Sequence, residues 1–245
     1  MRQEATLRRD GREDHQLRPV SIQVGAQAYA EGSALIRQGE THVLCAVSVE
    51  ERVPPFLKGT GRGWITAEYA MLPRATLTRT PRESRAGGRA QEIRRLIGRA
   101  LRAAVDLEAL GERTLVVDCD VLQADGGTRT AAVTGGFVAL RQAIHTLRRQ
   151  GVLTEDPVLW AVAAVSVGLV EGRLLLDLCY EEDFQAQADF NLVLTDRGQL
   201  VEVQGTAEDG PFDPQVVAQV LELADRGARS LFQAQRSALQ SAGIP

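Results

Sequence analysis

The rhythm of apolar and polar positions changes along this chain in an order that predicts its elements. Over Leu17–Val24, Ala34–Gln38 and Thr41–Glu50, apolar side chains alternate with polar ones or run on as β-branched residues. Both are strand patterns. Glu31-Gly32 and Gln38-Gly39-Glu40 separate them as turns. Residues 52–86 lose the rhythm: glycine, proline, arginine and threonine dominate, and a long irregular segment is expected. From about Ala90 the spacing lengthens to three and four. Ile93, Leu96, Ile97, Ala100, Leu101, Ala104, Val105 and Leu107 then share one face, which predicts a helix to Leu110 stopped by Gly111. A strand at Thr114–Gln123 and a helix over Thr128–Gln150 follow.

The second part repeats the theme. Trp160–Val170 and Arg173–Tyr180 read as a hairpin across Glu171-Gly172, and Phe190–Thr195 and Leu200–Gln204 as another across Asp196-Arg197-Gly198. A closing helix, about Pro214–Leu239, carries an apolar stripe of Val216, Val217, Val220, Leu221, Leu223 and Ala224. Strands grouped before helices predict an α+β fold of two similar halves, with mixed sheets packed against helices. No linker or low-complexity stretch interrupts the chain, so one domain spanning 1–245 is expected, with halves near 1–150 and 151–245.

Composition adds little until charge is considered. At 245 residues and 44% hydrophobic content the chain can bury a sizeable core. It has no apolar run of membrane-spanning length, and its first residues are too polar for a signal peptide, so a cytoplasmic location is expected. Cys45, Cys119 and Cys179 lack metal-site spacing and read as buried thiols, while His15, His42 and His145 form no triad or ligand pattern. The net charge of −4 hides an asymmetry: residues 1–150 hold 23 basic and 17 acidic side chains, residues 151–245 hold 5 and 15. Between Arg74 and Arg102 nine arginines face only Glu83 and Glu92. Such a block fits either a polyanion partner or a solvated helix face paired with the acidic half.

Two constellations carry chemistry. Strand Thr114–Gln123 turns on Gly126-Gly127 into the helix opening Thr128-Arg129-Thr130. Glycines let a ligand approach the backbone, a helix N-terminus offers unpaired N–H groups, and arginine grips phosphate through a planar fork. The same residues also fit a plain turn, with Thr128 as N-cap and Arg129 paired to an acid. Neither a P-loop nor a dinucleotide fingerprint is present. Asp183 and Asp189, six residues apart between two strands, form the second group. Converging carboxylates can hold Mg²⁺ or protonate a leaving oxygen, and a solvated acidic loop is the alternative. Together, the anion turn, arginine block and acidic pair fit phosphoryl or nucleotidyl transfer.

Longer motifs resemble the ribonuclease PH family, phosphate-dependent 3′→5′ exoribonucleases. They are Arg9-Asp10-Gly11-Arg12, Ala30–Ser33, Val53–Gly59, Gly63–Tyr69, Met71–Arg74, Asp118–Thr130 and Glu202–Glu208, in order over nearly the whole chain. The resemblance implies that inorganic phosphate attacks the last phosphodiester of an RNA and releases a nucleoside diphosphate. Trimming beyond the 3′-CCA end of tRNA precursors, nucleotide addition in reverse, and a part in rRNA processing or decay are further implications. By the family's pattern Arg89, Gly127, Thr128 and Arg129 bind the attacking phosphate. Asp183 and Asp189 are the catalytic pair, holding Mg²⁺ or assisting departure of the 3′ oxygen. Arg74, Arg79 and Arg82 hold the RNA backbone. A homohexameric ring, a trimer of dimers, is implied as well. The chain departs from the pattern in a shorter link from Glu83 to Arg89, in Ala90 where threonine is usual, and in an N-terminal extension of about six residues. A catalytically silent RNA-binding subunit and a small-molecule phosphotransferase are the competing readings.

Overall fold

A computed structural model describes residues 8–82 and 87–245. The N-terminal extension, Arg85 and the Glu83–Ala86 part of the shortened link lie outside the described residues.

Strands β1 (Val20–Val24), β2 (Gly32–Gln38) and β3 (Thr41–Glu50) form an antiparallel meander. Alternate residues of β3, Thr41, Val43, Cys45 and Val47, are buried, as its pattern requires. The stretch expected to be irregular contains a further strand, β4 (Trp64–Met71). It was hidden because a glycine-rich approach leads into it and its inward set, Ile65, Ala67 and Tyr69, is short. Strand β5 (Thr114–Gln123) matches its expected bounds, pairs antiparallel with β3 and parallel with β4, and completes a mixed sheet ordered β1-β2-β3-β5-β4.

The first expected helix is broken. Helix α1 (Gly88–Ala103) ends before Val105, which bridges Val158, and Asp106 caps the short α2 (Leu107–Leu110) by accepting from the Glu108 and Ala109 amides. The apolar spacing runs through the break because both pieces pack on one core. Gly111 stops α2 at φ 72°.

Helix α3 (Thr128–Arg149) is buried along most of its length. It packs on β2 and β3 on one side and on β6 (Val162–Val170) on the other. Close approach needs glycine here: a Cβ on Gly32 would stand 2.1 Å from the Ala139 carbonyl oxygen. The second sheet is antiparallel, ordered β7-β6-β8-β9. Its other strands are β7 (Arg173–Leu176), β8 (Ala188–Thr195) and β9 (Leu200–Ala207). Along β6, Val162 and Ala164 join the core around α3, while Ala163, Val165 and Val167 join a second core under α5 (Val216–Ser241). A strand buried on both faces loses polar alternation, which is why β6 reads as a continuous apolar run. The layers are tied where Gln235 of α5 donates to the carbonyls of Thr134 and Val162, both at 3.0 Å.

Candidate active site

Parallel strands β4 and β5 deliver their C-terminal ends to one edge of the first sheet, the usual location of a ligand crevice in sheets with parallel strands. At the end of β5 the chain turns through Gly126 (φ 71°) and Gly127 (φ 64°) into α3. Gly127, not Thr128, is the N-cap, and no side chain caps this helix, so its first amides point outward unpaired by a cap. A Cβ on Gly126 would lie 2.5 Å from the Leu178 carbonyl oxygen, so glycine is required by both conformation and space. The Thr128 hydroxyl is taken by Tyr69, whose phenol oxygen lies 2.8 Å away. Burial pushes the Tyr69 hydroxyl's pKa up, and it stays a neutral hydrogen-bonding group.

The turn stands on a buried ion pair. Arg18 donates to both Asp177 carboxylate oxygens, to the Gly126 carbonyl and to the Asp125 carbonyl. Thr41 adds a 2.6 Å bond to the same Gly126 carbonyl. Asp177 takes φ 56°, rare for a non-glycine residue, and so ends β7 earlier than expected. Arg8 and Arg12 donate to its carbonyl, both at 2.9 Å.

The link between β7 and β8 is likewise not a plain loop. It forms α4 (Tyr180–Gln185), which carries Asp183, while Asp189 lies on β8 opposite Gly168 and Thr206. Helix α4 is fastened at both flanks of its first turn. The Tyr180 amide donates to Asp125 at 3.0 Å, and Glu182 accepts from the Cys179 amide at 3.0 Å while pairing with Arg8. Acidic side chains also suit a helix N-terminus, so the run Glu181-Glu182-Asp183 that reads as loop in the sequence is compatible with helix.

Arg89 and Arg129 occupy the second positions of α1 and α3. Both guanidinium groups act on Asp183 across the site, drawing its pKa down, but burial outweighs them and with Glu208 leaves it raised. Asp189 is raised by burial, by Asp183 and by Glu208, against Arg129. Asp183 is thus within electrostatic reach of both arginines, and Asp189 of Asp183 and Arg129. Arg129 also contacts Glu92 at 3.3 Å and Gln204 at 3.5 Å, so the acid pairing of the plainer reading is present beside the open helix end. Ala90 follows Arg89 within α1.

Arg74, Arg79 and Arg82 are exposed and form no ion pair among the described residues. The start of their loop is stapled to the site: Leu72 donates to the Val121 carbonyl at 3.0 Å and Ala124 to the Ala75 carbonyl at 2.8 Å. The supporting residues Tyr69, Arg18, Asp177 and Glu208 carried no expected role. Tyr69 lies on the strand that the sequence left hidden, and the left-handed Asp177 leaves no local signal.

A scan against family profiles matches residues 16–144 to the 3′ exoribonuclease family, domain 1, and residues 161–227 to domain 2. The chain belongs to the ribonuclease PH family of 3′ exoribonucleases. Within the family it is 56% identical over 236 residues to a ribonuclease PH of Dehalococcoides mccartyi, covering 95% of this chain and 98% of that one. A ribonuclease PH of Solibacter usitatus is 55% identical over 237 residues, covering 96% and 100%. Among solved structures, an Archaeoglobus fulgidus exosome with RNA bound to the active site superposes with TM-score 0.81 at 25% identity, covering 93% of this chain and 92% of that chain. Rice (Oryza sativa) Rrp46 shares the fold, with TM-score 0.78 at 21% identity, covering 95% and 100%.

Proposed function

We infer that this chain shortens RNA from its 3′ end by phosphorolysis, with tRNA precursors as substrates. The enzyme class follows from the family: a phosphorolytic 3′→5′ exoribonuclease for which inorganic phosphate is a substrate. The assignment of roles to residues is supported above all by the convergence of Arg89, Arg129, Asp183 and Asp189 from four different elements.

In this reading phosphate rests against the outward amides of Gly127 and Thr128, between the guanidinium groups of Arg89 and Arg129. One of its oxygens attacks the last phosphodiester phosphorus in line. The bond from that phosphorus to the preceding 3′ oxygen breaks, the terminal nucleotide departs as a nucleoside diphosphate, and the shortened RNA takes a proton on its new 3′ hydroxyl. Two anions must approach each other, and paired guanidinium groups offset the repulsion in a site already organised to receive them. Asp183 and Asp189 would hold Mg²⁺. No group of three or more His, Cys, Asp or Glu side chains among the described residues is spaced to enclose a metal. Two mutually repelling carboxylates with all-oxygen donors nevertheless fit an ion that completes its shell with water and substrate phosphate. When bound, such an ion stabilises charge on phosphoryl and leaving oxygens. The raised carboxyl of Asp183 or Asp189 can also supply the proton. Arg74, Arg79 and Arg82 contact the RNA backbone upstream. The exosome likeness supports a ring of six copies, and the bacterial relatives support a cytoplasmic setting.

A 3′-tailed tRNA incubated with and without phosphate tests the reading. Nucleoside diphosphates formed only with phosphate, ending at the CCA terminus, are expected. Nucleoside monophosphates would overturn it.

A further inference from the structure

The roles assigned so far, to guanidinium forks, backbone amides and carboxylates, concern phosphate groups and a cation, not a nucleobase. The described surface next to these groups offers a base a place. Tyr180 and Phe184 lie one helical turn apart on α4, 54% and 80% exposed. Their ring centroids are 6.3 Å apart and their planes 30° from parallel. Residues four apart share a helix face, so the two rings form one continuous apolar shelf. Asp183 belongs to the same turn, immediately before Phe184. The Tyr180 amide is fixed to Asp125, one residue before the Gly126-Gly127 turn, so shelf and phosphate cradle keep a set separation.

We propose that Tyr180 and Phe184 are a stacking platform for the bases at the 3′ end of the RNA, holding the terminal nucleotides beside Asp183 while the arginines hold the phosphates. The proposal rests on the function inferred above. Flat aromatic faces beside a cationic track are how single-stranded nucleic acid is held without sequence preference, since every base has a π-face. The acids around the rings favour a base over a backbone phosphate as the occupant: Glu181 pairs with Arg9 at 2.6 Å, Glu182 with Arg8, and Asp183 stays on the site side. They also disfavour a second protein copy. Two aromatic side chains supply at most about 300–500 Å², well short of a stable protein interface.

The test compares the full-length protein with Phe184→Ala, Phe184→Trp and Asp183→Asn. Phosphorolysis is followed on a short oligoribonucleotide and on the same oligonucleotide made abasic at its last two positions. Phe184→Ala should raise KM for the intact oligonucleotide about fivefold or more, the alanine-scan effect of losing one stacked base. The KM for phosphate should stay put, and Phe184→Trp should restore RNA affinity. On the abasic substrate wild type and Phe184→Ala should coincide, a result that mere structural damage would not give. An unchanged KM in Phe184→Ala, or an equal loss on both substrates, overturns the platform. So does a change of native mass in Phe184→Ala without a change in KM, which would assign the rings to a subunit contact. Wild-type turnover in Asp183→Asn would instead overturn the underlying site, whatever Phe184 does.

Discussion

In the proposed mechanism Arg129 has two jobs that pull apart: it is to offer its fork to an incoming anion, yet it shares part of it with Glu92 and Gln204 at 3.3 and 3.5 Å. Contacts that long are easily exchanged for a charge-assisted bond to phosphate. Arg129→Ala should therefore lower phosphorolytic turnover by roughly 10²–10³-fold, the cost of one preorganised donor. Binding of RNA, measured without phosphate, should change little. Asp189 illustrates the opposite balance. Burial and its neighbours Asp183 and Glu208 raise its pKa, so the folded chain holds that proton more tightly than the unfolded one. Its favourable contribution is complete below the ordinary value of 3.8 and is lost as pH rises through the raised value. Asp189→Asn should consequently raise Tm at neutral pH and abolish activity. Its Tm advantage should vanish below about pH 4, where both versions are neutral; a lower Tm at pH 7 would contradict the assigned direction. Glu182 has the reverse sign. Burial alone would raise it, but its bonds to Arg8 and the Cys179 amide hold it low. Its contribution is present above its ordinary value of 4.5 and fades as acid reaches the lowered one.

At the scale of elements, what the sequence showed and what it hid divide by range. The strand–glycine turn–helix unit of Thr114–Arg149 was legible almost to the residue, because a glycine pair, a period of two and a long apolar helix are local signals. Strand β4 and helix α4 were not legible, since each is short and is held by contacts distant in sequence: the parallel ladder to β5, and the bonds of α4 to Arg8 and Asp125. The break at Val105 was hidden for the same reason, its cause being Val158 more than fifty residues away. The residues proposed for the site are those whose side-chain chemistry or motif singles them out in the sequence, whereas supporting residues placed by geometry alone, such as Asp177 and Arg18, carried no such signal. Gly126 connects the two classes. Gly126→Ala puts a methyl 2.5 Å from the Leu178 carbonyl at a left-handed φ. It should cost at least about 1–3 kcal/mol in urea unfolding and raise the KM for phosphate more than that for RNA. An equal rise in both would place the damage elsewhere.

For the whole molecule, charge and layering set the behaviour. An acidic protein that acts on RNA must meet it through a local field, and the exposed Arg74, Arg79 and Arg82 belong to a loop whose start is stapled to β5 and the residue after it. Replacing all three with alanine should flatten the salt dependence of RNA affinity by about two logarithmic slope units, from roughly 0.7 per single-strand phosphate contact. An unchanged slope would remove this loop from the RNA path. The burial of α3 between two sheets has a different consequence, one of timing. The helix that presents the proposed phosphate-binding turn is clamped by both cores and by Gln235, so the amides of its buried middle can meet solvent only when the layers come apart. Native-state deuterium exchange should find the amides of Val133–Leu140 among the slowest in the chain, opening with the global free energy. Those of α4, which rests on a few polar ties, should exchange through local fluctuations. The anion-gripping half of the centre would then be as durable as the protein itself, and the half that meets the nucleotide would be free to breathe with every turnover.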